Sequence, residues 1–226
     1  MTHTKANKSK ILALILGLTM CLALMLGIVF ASPTFAVYAE GGTGTTGGLI
    51  IDGTSDITST DETYTYTVAD KTLTLKGYNG GTIKFNETGD VTLNLVNGTT
   101  NVITLNDGSV TETQYGVYAA GNLTVTGKGT LNINMDISGS GDEIATEYGK
   151  SLYGLYAQSL TIKGEINVNL NLISNGFSGG ICAKRDIAIS ETANVDIKCH
   201  SKYKHTDYSS SKEVVRGIYS VNGDIK

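Results

Sequence analysis

Apolar and polar residues alternate along most of the chain after residue 48, in short bursts separated by turn signals. Tyr64-Thr-Tyr-Thr-Val68 and Thr72-Leu-Thr-Leu-Lys76 flank Ala69-Asp-Lys71, and Tyr78-Asn-Gly-Gly81 reads as a turn. Thr82–Phe85, Val91–Leu95 and Val102–Leu105 continue the series. A period of two puts alternate side chains on one face, the signature of a strand with a single buried side. Blocks of Ala, Glu, Lys and Leu, which long helices favour, are missing.

The second half adds an internal repeat. Tyr115-Gly-Val-Tyr-Ala119 leads to Leu123-Thr-Val125, a Gly127-Lys-Gly129 turn and Leu131-Asn-Ile-Asn-Met135. Tyr153-Gly-Leu-Tyr-Ala157 leads to Leu160-Thr-Ile162, a turn at Gly164 and Ile166-Asn-Val-Asn-Leu170. Gly180-Ile-Cys-Ala183 precedes Ile187-Ala-Ile189 and Val195-Asp-Ile197, and Arg216-Gly-Ile-Tyr-Ser220 opens a fourth copy. Gly116, Gly154, Gly180 and Gly217 mark the copies, with extra length in the polar segments Asp136–Ser151 and Ser201–Val215. Three strands per copy match one coil of a solenoid, which buries its apolar face only against the next coil. Val117, Leu123, Val125, Leu131, Ile133 and Met135 are thus expected to pack against Leu155, Leu160, Ile162, Ile166, Val168 and Leu170. A β-sandwich would not require copies to resemble one another. The fold expected is all-β, a right-handed parallel β-helix over residues 49–226. The fourth copy stops in mid-strand, so a C-terminally truncated piece of a longer protein is expected.

Ahead of the strands, Lys5, Lys8 and Lys10 precede the uncharged run Ile11–Phe30, followed by Pro33 and small residues up to Ala39. This is the plan of a secretory signal helix over residues 1–39, with cleavage after Ala36 or Ala39. An uncleaved anchor is the alternative, and either places the remainder outside the membrane. Residues 40–48 form a Gly/Thr linker.

Composition narrows the partners. Hydrophobic residues make up 40% and charged residues 17%, enough apolar and too little charged content for a disordered chain. Removing the leader's three lysines from the 17 basic residues leaves 14 against 21 acidic ones, a net charge of −7. That balance argues against a nucleic-acid partner, which needs a basic stripe. Cys21 belongs to the leader; Cys182 and Cys199 form an even pair, for which a disulfide and free thiols both stay open.

Leu73-Thr-Leu-Lys-Gly-Tyr-Asn-Gly-Gly81, Gly89-Asp-Val-Thr-Leu-Asn-Leu95 and Tyr115-Gly-Val-Tyr-Ala-Ala-Gly-Asn-Leu-Thr-Val125 together resemble exported carbohydrate-binding-domain proteins of Gram-positive bacteria. These share the pectate-lyase-like right-handed parallel β-helix. The resemblance runs from about Leu49 to the end. It implies a secreted or cell-wall-associated protein that binds polysaccharide or host glycan, with calcium as an optional companion.

Candidate sites follow from parity. With Val117, Ala119, Leu123 and Val125 inward, Tyr118 points outward, and Tyr156, Cys182 and Tyr219 hold matching positions. Such a tyrosine column is either a platform for sugar rings or a cross-strand ladder. Asn132 and Asn134, Asn167 and Asn169, then Asn194 and Asp196 form a second column, for glycan hydroxyls or for an amide ladder along the stack. Asp136, Asp142 and Glu143 share one inserted segment, the oxygen-rich kind that suits calcium. No catalytic residue is assigned. Lys184-Arg185-Asp186 is the one tight charged cluster of the type a lyase would need, Asp196 lacks a carboxylate partner, and His200 and His205 lack a nearby nucleophile motif. The expectation is a monomeric binding or adhesion module, with a calcium-dependent polysaccharide lyase and a structural spacer as alternatives.

Overall fold

The computed structural model describes residues 48–53, 61–107, 112–139, 151–174, 176–201 and 215–226. The leader, most of the linker, Asp142, Glu143 and His205 lie outside the described residues. Within them every regular element is a strand. In chain order these are Leu49–Ile51 (β1), Tyr64–Thr67 (β2), Thr72–Leu75 (β3), Asn79–Gly80 (β4), Ile83–Phe85 (β5) and Val91–Leu95 (β6). Thr100–Asn106 (β7), Gln114–Ala119 (β8), Leu123–Gly127 (β9), Thr130–Asp136 (β10), Leu152–Ala157 (β11) and Leu160–Ile162 (β12) follow. Asn167–Ser174 (β13), Ser178–Ala183 (β14), Ile187–Ile189 (β15), Asn194–Ser201 (β16) and Val215–Ser220 (β17) complete the set.

They form three sheets. The first runs β1-β5-β8-β11-β14-β17, the second β4-β7-β10-β13-β16, and the third β2-β3-β6-β9-β12-β15. From β3 onward each strand that has a later neighbour lies beside the one three places on in the chain, always in parallel. Among the described residues, only β1 with β5 and β2 with β3 pair antiparallel. The stacking therefore begins well before the glycine-marked copies, and β4, β5 and β6 already pair with β7, β8 and β9.

Inward residues line up as aliphatic columns. Val117, Leu155 and Ile181 are level in the first sheet, and Leu123, Leu160 and Ile187 in the third. All twelve residues expected at the shared interior are buried. Removing such side chains from water is worth about 25 cal/mol per Å² of apolar surface, the main term holding neighbouring strand triplets together.

Two expectations change. Tyr78-Asn-Gly-Gly81 is not merely a turn: Asn79–Gly80 is β4 and pairs with Val102 and Ile103 of β7. Tyr78 is itself buried and its carbonyl accepts from the Val102 amide at 2.6 Å, which draws this backbone into the ladder. Asn167 and Asn169 are level with Asn194 and Asp196 as the repeats align them, but the step from Asn132 and Asn134 is shifted by two. Asn169, not Asn167, stands beside Asn132, and Asn171 beside Asn134. A slip of two residues keeps every side chain on its own face, so alternation alone cannot set this register. Connection length sets it: Val125 pairs with Ile162, and five residues further on Thr130 pairs with Asn167.

The recurring glycines are level too, since their neighbours pair as Tyr115 with Tyr153, Tyr153 with Gly179, and Gly179 with Arg216. A Cβ on Gly116 would lie 2.6 Å from Ile133 Cγ2 and 2.8 Å from the Gly154 carbonyl oxygen. On Gly154 it would meet the Gly180 oxygen at 2.7 Å, and on Gly180 the Gly217 oxygen at 2.5 Å. Close approach of one backbone to the next, not a left-handed backbone, requires glycine here.

Ser174, Ser178 and Asn101 are polar residues buried within the strands, and Asn101 is the one with an amide. Asn101 is fully buried level with Leu131. Its Oδ1 accepts from the Gly77 and Tyr78 amides at 2.8 and 2.9 Å, and its Nδ2 donates to Thr99 Oγ1 and the Thr130 carbonyl at 3.3 and 3.2 Å. Every polar atom of the side chain is matched, which makes its burial tolerable.

Candidate functional site

The outward side of the first sheet carries a cluster of aromatic residues. Lys84, Tyr118, Tyr156, Cys182 and Tyr219 are level on β5, β8, β11, β14 and β17. A second column runs beside it: Tyr115, Tyr153, Gly179 and Arg216. Strict alternation would turn Tyr115 and Tyr153 inward. Instead Gly116 and Val117 are both buried, as are Gly154 and Leu155, and the interruption leaves both tyrosines outside, half-buried.

The rings form one connected cluster. Tyr118 and Tyr156 stack with centroids 5.9 Å apart and planes 5° apart; Tyr115 and Tyr153 stack at 5.5 Å and 14°. Between the columns, Tyr115 meets Tyr118 at 5.0 Å and Tyr156 at 5.2 Å, and Tyr153 meets Tyr156 at 5.3 Å, all with tilted planes. Phe177 extends the cluster, 5.4 Å from Tyr153. Cations stand over both ends, with Lys84 Nζ 5.5 Å from the Tyr118 centroid and the Arg216 guanidinium 3.8 Å from Tyr219 and 5.7 Å from Phe177. Burial, and then the neighbouring Cys182 and tyrosines, push the Tyr153 phenol up to about 12. Tyr115 and Tyr156 are raised as well, first by burial and then by nearby tyrosines.

This geometry limits what the column can bind. The stacked faces are turned toward one another, so a sugar ring cannot lie flat on Tyr118 and Tyr156 in succession. The exception is the end of the second column. β5 begins at Ile83, level with Val117, so no residue of that strand stands beside Tyr115. A cavity of about 380 Å³ lies there, lined by Thr82, Ile83, Lys84, Glu112, Thr113, Gln114, Tyr115 and Tyr118. An aromatic wall with an ammonium, a carboxylate, an amide and a phenol around it combines apolar contact with several hydrogen-bonding groups.

The other candidates fall elsewhere. Tyr219 is separated from Tyr156 by Cys182 and covered by Arg216. Asn132, Asn134, Asn167 and Asn169 sit on β10 and β13 of the second sheet, apart from the tyrosines of the first. Asn169 Nδ2 donates to Asn132 Oδ1 at 2.8 Å, and Asn194 Nδ2 to Asn167 Oδ1 at 3.2 Å, so these amides bond one another along the stack. Asp136 Oδ1 accepts from the Ser138 amide and hydroxyl at 2.8 and 2.6 Å, closing a turn at the end of β10. Asp186 of the Lys184-Arg185-Asp186 turn accepts from the Asp224 amide at 2.9 Å, and Asp196 lies 3.1 Å from Lys198. Cys182 and Cys199 are free thiols. Burial, and then Cys199, push Cys182 from 9.0 up to about 12, and burial takes Cys199 to about 11.

Sequence reasoning missed Tyr115, Tyr153, Phe177, Lys84, Glu112 and Gln114. The signal for the first two was present, as a Tyr-Gly-x-Tyr pattern in which the glycine breaks the alternation. No protein-family model, curated protein or solved structure matches this chain.

Proposed function

We propose that this chain is an exported right-handed parallel β-helix that binds carbohydrate in the cleft at the Tyr115 end of its aromatic cluster. The basic, apolar and small-residue regions of the leader support export. Handedness is inferred from the rule that parallel strands joined by a crossover within one sheet do so right-handedly in about 98% of cases. The observation carrying the functional reading is the cleft itself. Tyr115 offers a ring face not stacked on another tyrosine, and Lys84, Glu112 and Gln114 bring donors and acceptors to one side of it. Its volume suits one or two sugar residues.

The test is a glycan array probed with the purified protein, followed by titration of the best hit. Tyr115→Ala is expected to weaken binding at least tenfold, about 1.4 kcal/mol. Asn134→Ala, on the second sheet, is expected to leave binding unchanged. Absence of any glycan hit, or equal binding by Tyr115→Ala, overturns the reading. A second reading, a structural spacer, draws on the stacked tyrosines and the amide ladder, which stabilise the strands without any ligand. It predicts an empty array together with a lower melting temperature for Tyr156→Ala.

A further inference from the structure

Tyr118 with Tyr156, and Tyr115 with Tyr153, share a feature that sugar binding does not use. Each pair joins neighbouring parallel strands, β8 and β11, with phenol rings nearly parallel and centroids 5.9 and 5.5 Å apart. Level backbone positions and nearly parallel planes set each phenol ring next to its counterpart across the stack. All four rings are half-buried, reachable from solvent yet held by their neighbours. Burial raises the Tyr153 phenol to about 12 and pushes those of Tyr115 and Tyr156 upward.

We propose that these two pairs are an oxidative cross-linking site, at which a peroxidase using hydrogen peroxide joins β8 to β11 through dityrosine. Each phenol gives up one electron and its hydroxyl proton, leaving two phenoxyl radicals. The radicals couple at the carbons beside the oxygens, forming one carbon–carbon bond. The hydrogens on those carbons move to the oxygens and restore both phenols. The net loss is two protons and two electrons, which reduce one hydrogen peroxide to two waters. Fixed, stacked rings favour coupling within the molecule over coupling between molecules, because the partner radical is already in place. The product closes a covalent loop between residues far apart in the chain, Tyr118 and Tyr156 or Tyr115 and Tyr153, and restricts the unfolded chain as a disulfide would. The proposal does not depend on carbohydrate binding.

The experiment treats dilute purified protein with a peroxidase and hydrogen peroxide. It reads dityrosine fluorescence in the monomer band, the intact mass, and cross-linked peptides. The expected result is a monomer lighter by two hydrogens per link, with peptides joining the Tyr115–Tyr118 segment to the Tyr153–Tyr156 segment, and a raised melting temperature. Tyr156→Phe is expected to retain only the Tyr115 to Tyr153 link, and the Tyr153→Phe, Tyr156→Phe double variant to lose more than nine-tenths of the signal. Phenylalanine keeps the rings packed, and circular dichroism checks that the strands persist. Links confined to dimers, links mapping to other tyrosines, or an undiminished signal in the double variant overturn the proposal.

Discussion

At the scale of single residues, buried phenols and thiols tie the fold to alkaline pH. Folding raises Cys182 from 9.0 to about 12, Cys199 from 9.0 to about 11 and Tyr153 from 10.0 to about 12, in each case chiefly by burial. The folded chain therefore holds protons that the unfolded chain has released, and stability falls as pH rises through this range. The contribution is complete below about pH 9 and gone by about pH 12. Denaturant melts across that interval are expected to show a steadily falling midpoint; a flat profile would contradict the burial of these groups. The same burial keeps the thiolate population small, so alkylation of Cys182 in the folded protein at neutral pH is expected to be slow. Period-two reading placed Tyr118 and Tyr156 outside and hid Tyr115 and Tyr153. Their orientation depends on two consecutive buried residues, Gly116 and Val117 or Gly154 and Leu155, and alternation has no means of encoding that step.

At the scale of the strand, the glycines decide how closely β8, β11, β14 and β17 approach. Gly154→Ala puts a Cβ 2.7 Å from the Gly180 carbonyl oxygen and 2.9 Å from Leu170 Cδ1. Backbone on one side and a packed leucine on the other leave little room to yield, so a loss of about 1–3 kcal/mol is expected in chemical denaturation. Gly217→Ala is the internal control. Nothing lies within 4 Å of the place its methyl group would take, and the change is expected to stay within about 0.5 kcal/mol. Equal costs at the two sites would disprove close approach as the reason for the repeat. The glycine recurrence was plain in the sequence, whereas the register of the asparagine pairs was not. Apolar positions in β10 and β13 match equally well at either of two offsets, and only the length of the preceding connection distinguishes them.

At the scale of the whole molecule, the three sheets present three different surfaces. The first is aromatic, and the second carries amides at Asn132, Asn169 and Asn134. The third carries threonine in register at Thr67, Thr72, Thr92, Thr124 and Thr161. Each triplet of strands leans mainly on its neighbours, so local stability should follow position in the stack. Val215, Ile218, Val221 and Ile225 remain exposed, although Ile218 continues the buried column of Val117, Leu155 and Ile181. Amide hydrogen exchange is expected to be slowest in β8 to β13 and at least tenfold faster in β15 and β17; uniform protection would show that the stack opens as one unit. The interior of the second half was legible because its apolar positions repeat with the glycines. The first half joins the same sheets without that marker; alternation placed its strands in the same domain, and pairing shows which later strand each one meets.

Near-identical building blocks carry a hazard, since any one of them can settle on the wrong neighbour with little loss of apolar contact. Asn101 guards against this. Only at its own level does it find the Gly77 and Tyr78 amides and the Thr130 carbonyl waiting; displaced by one storey, it would strand an amide among aliphatic side chains. A single buried amide thus works as an address label, telling otherwise interchangeable turns of the chain which of them comes first.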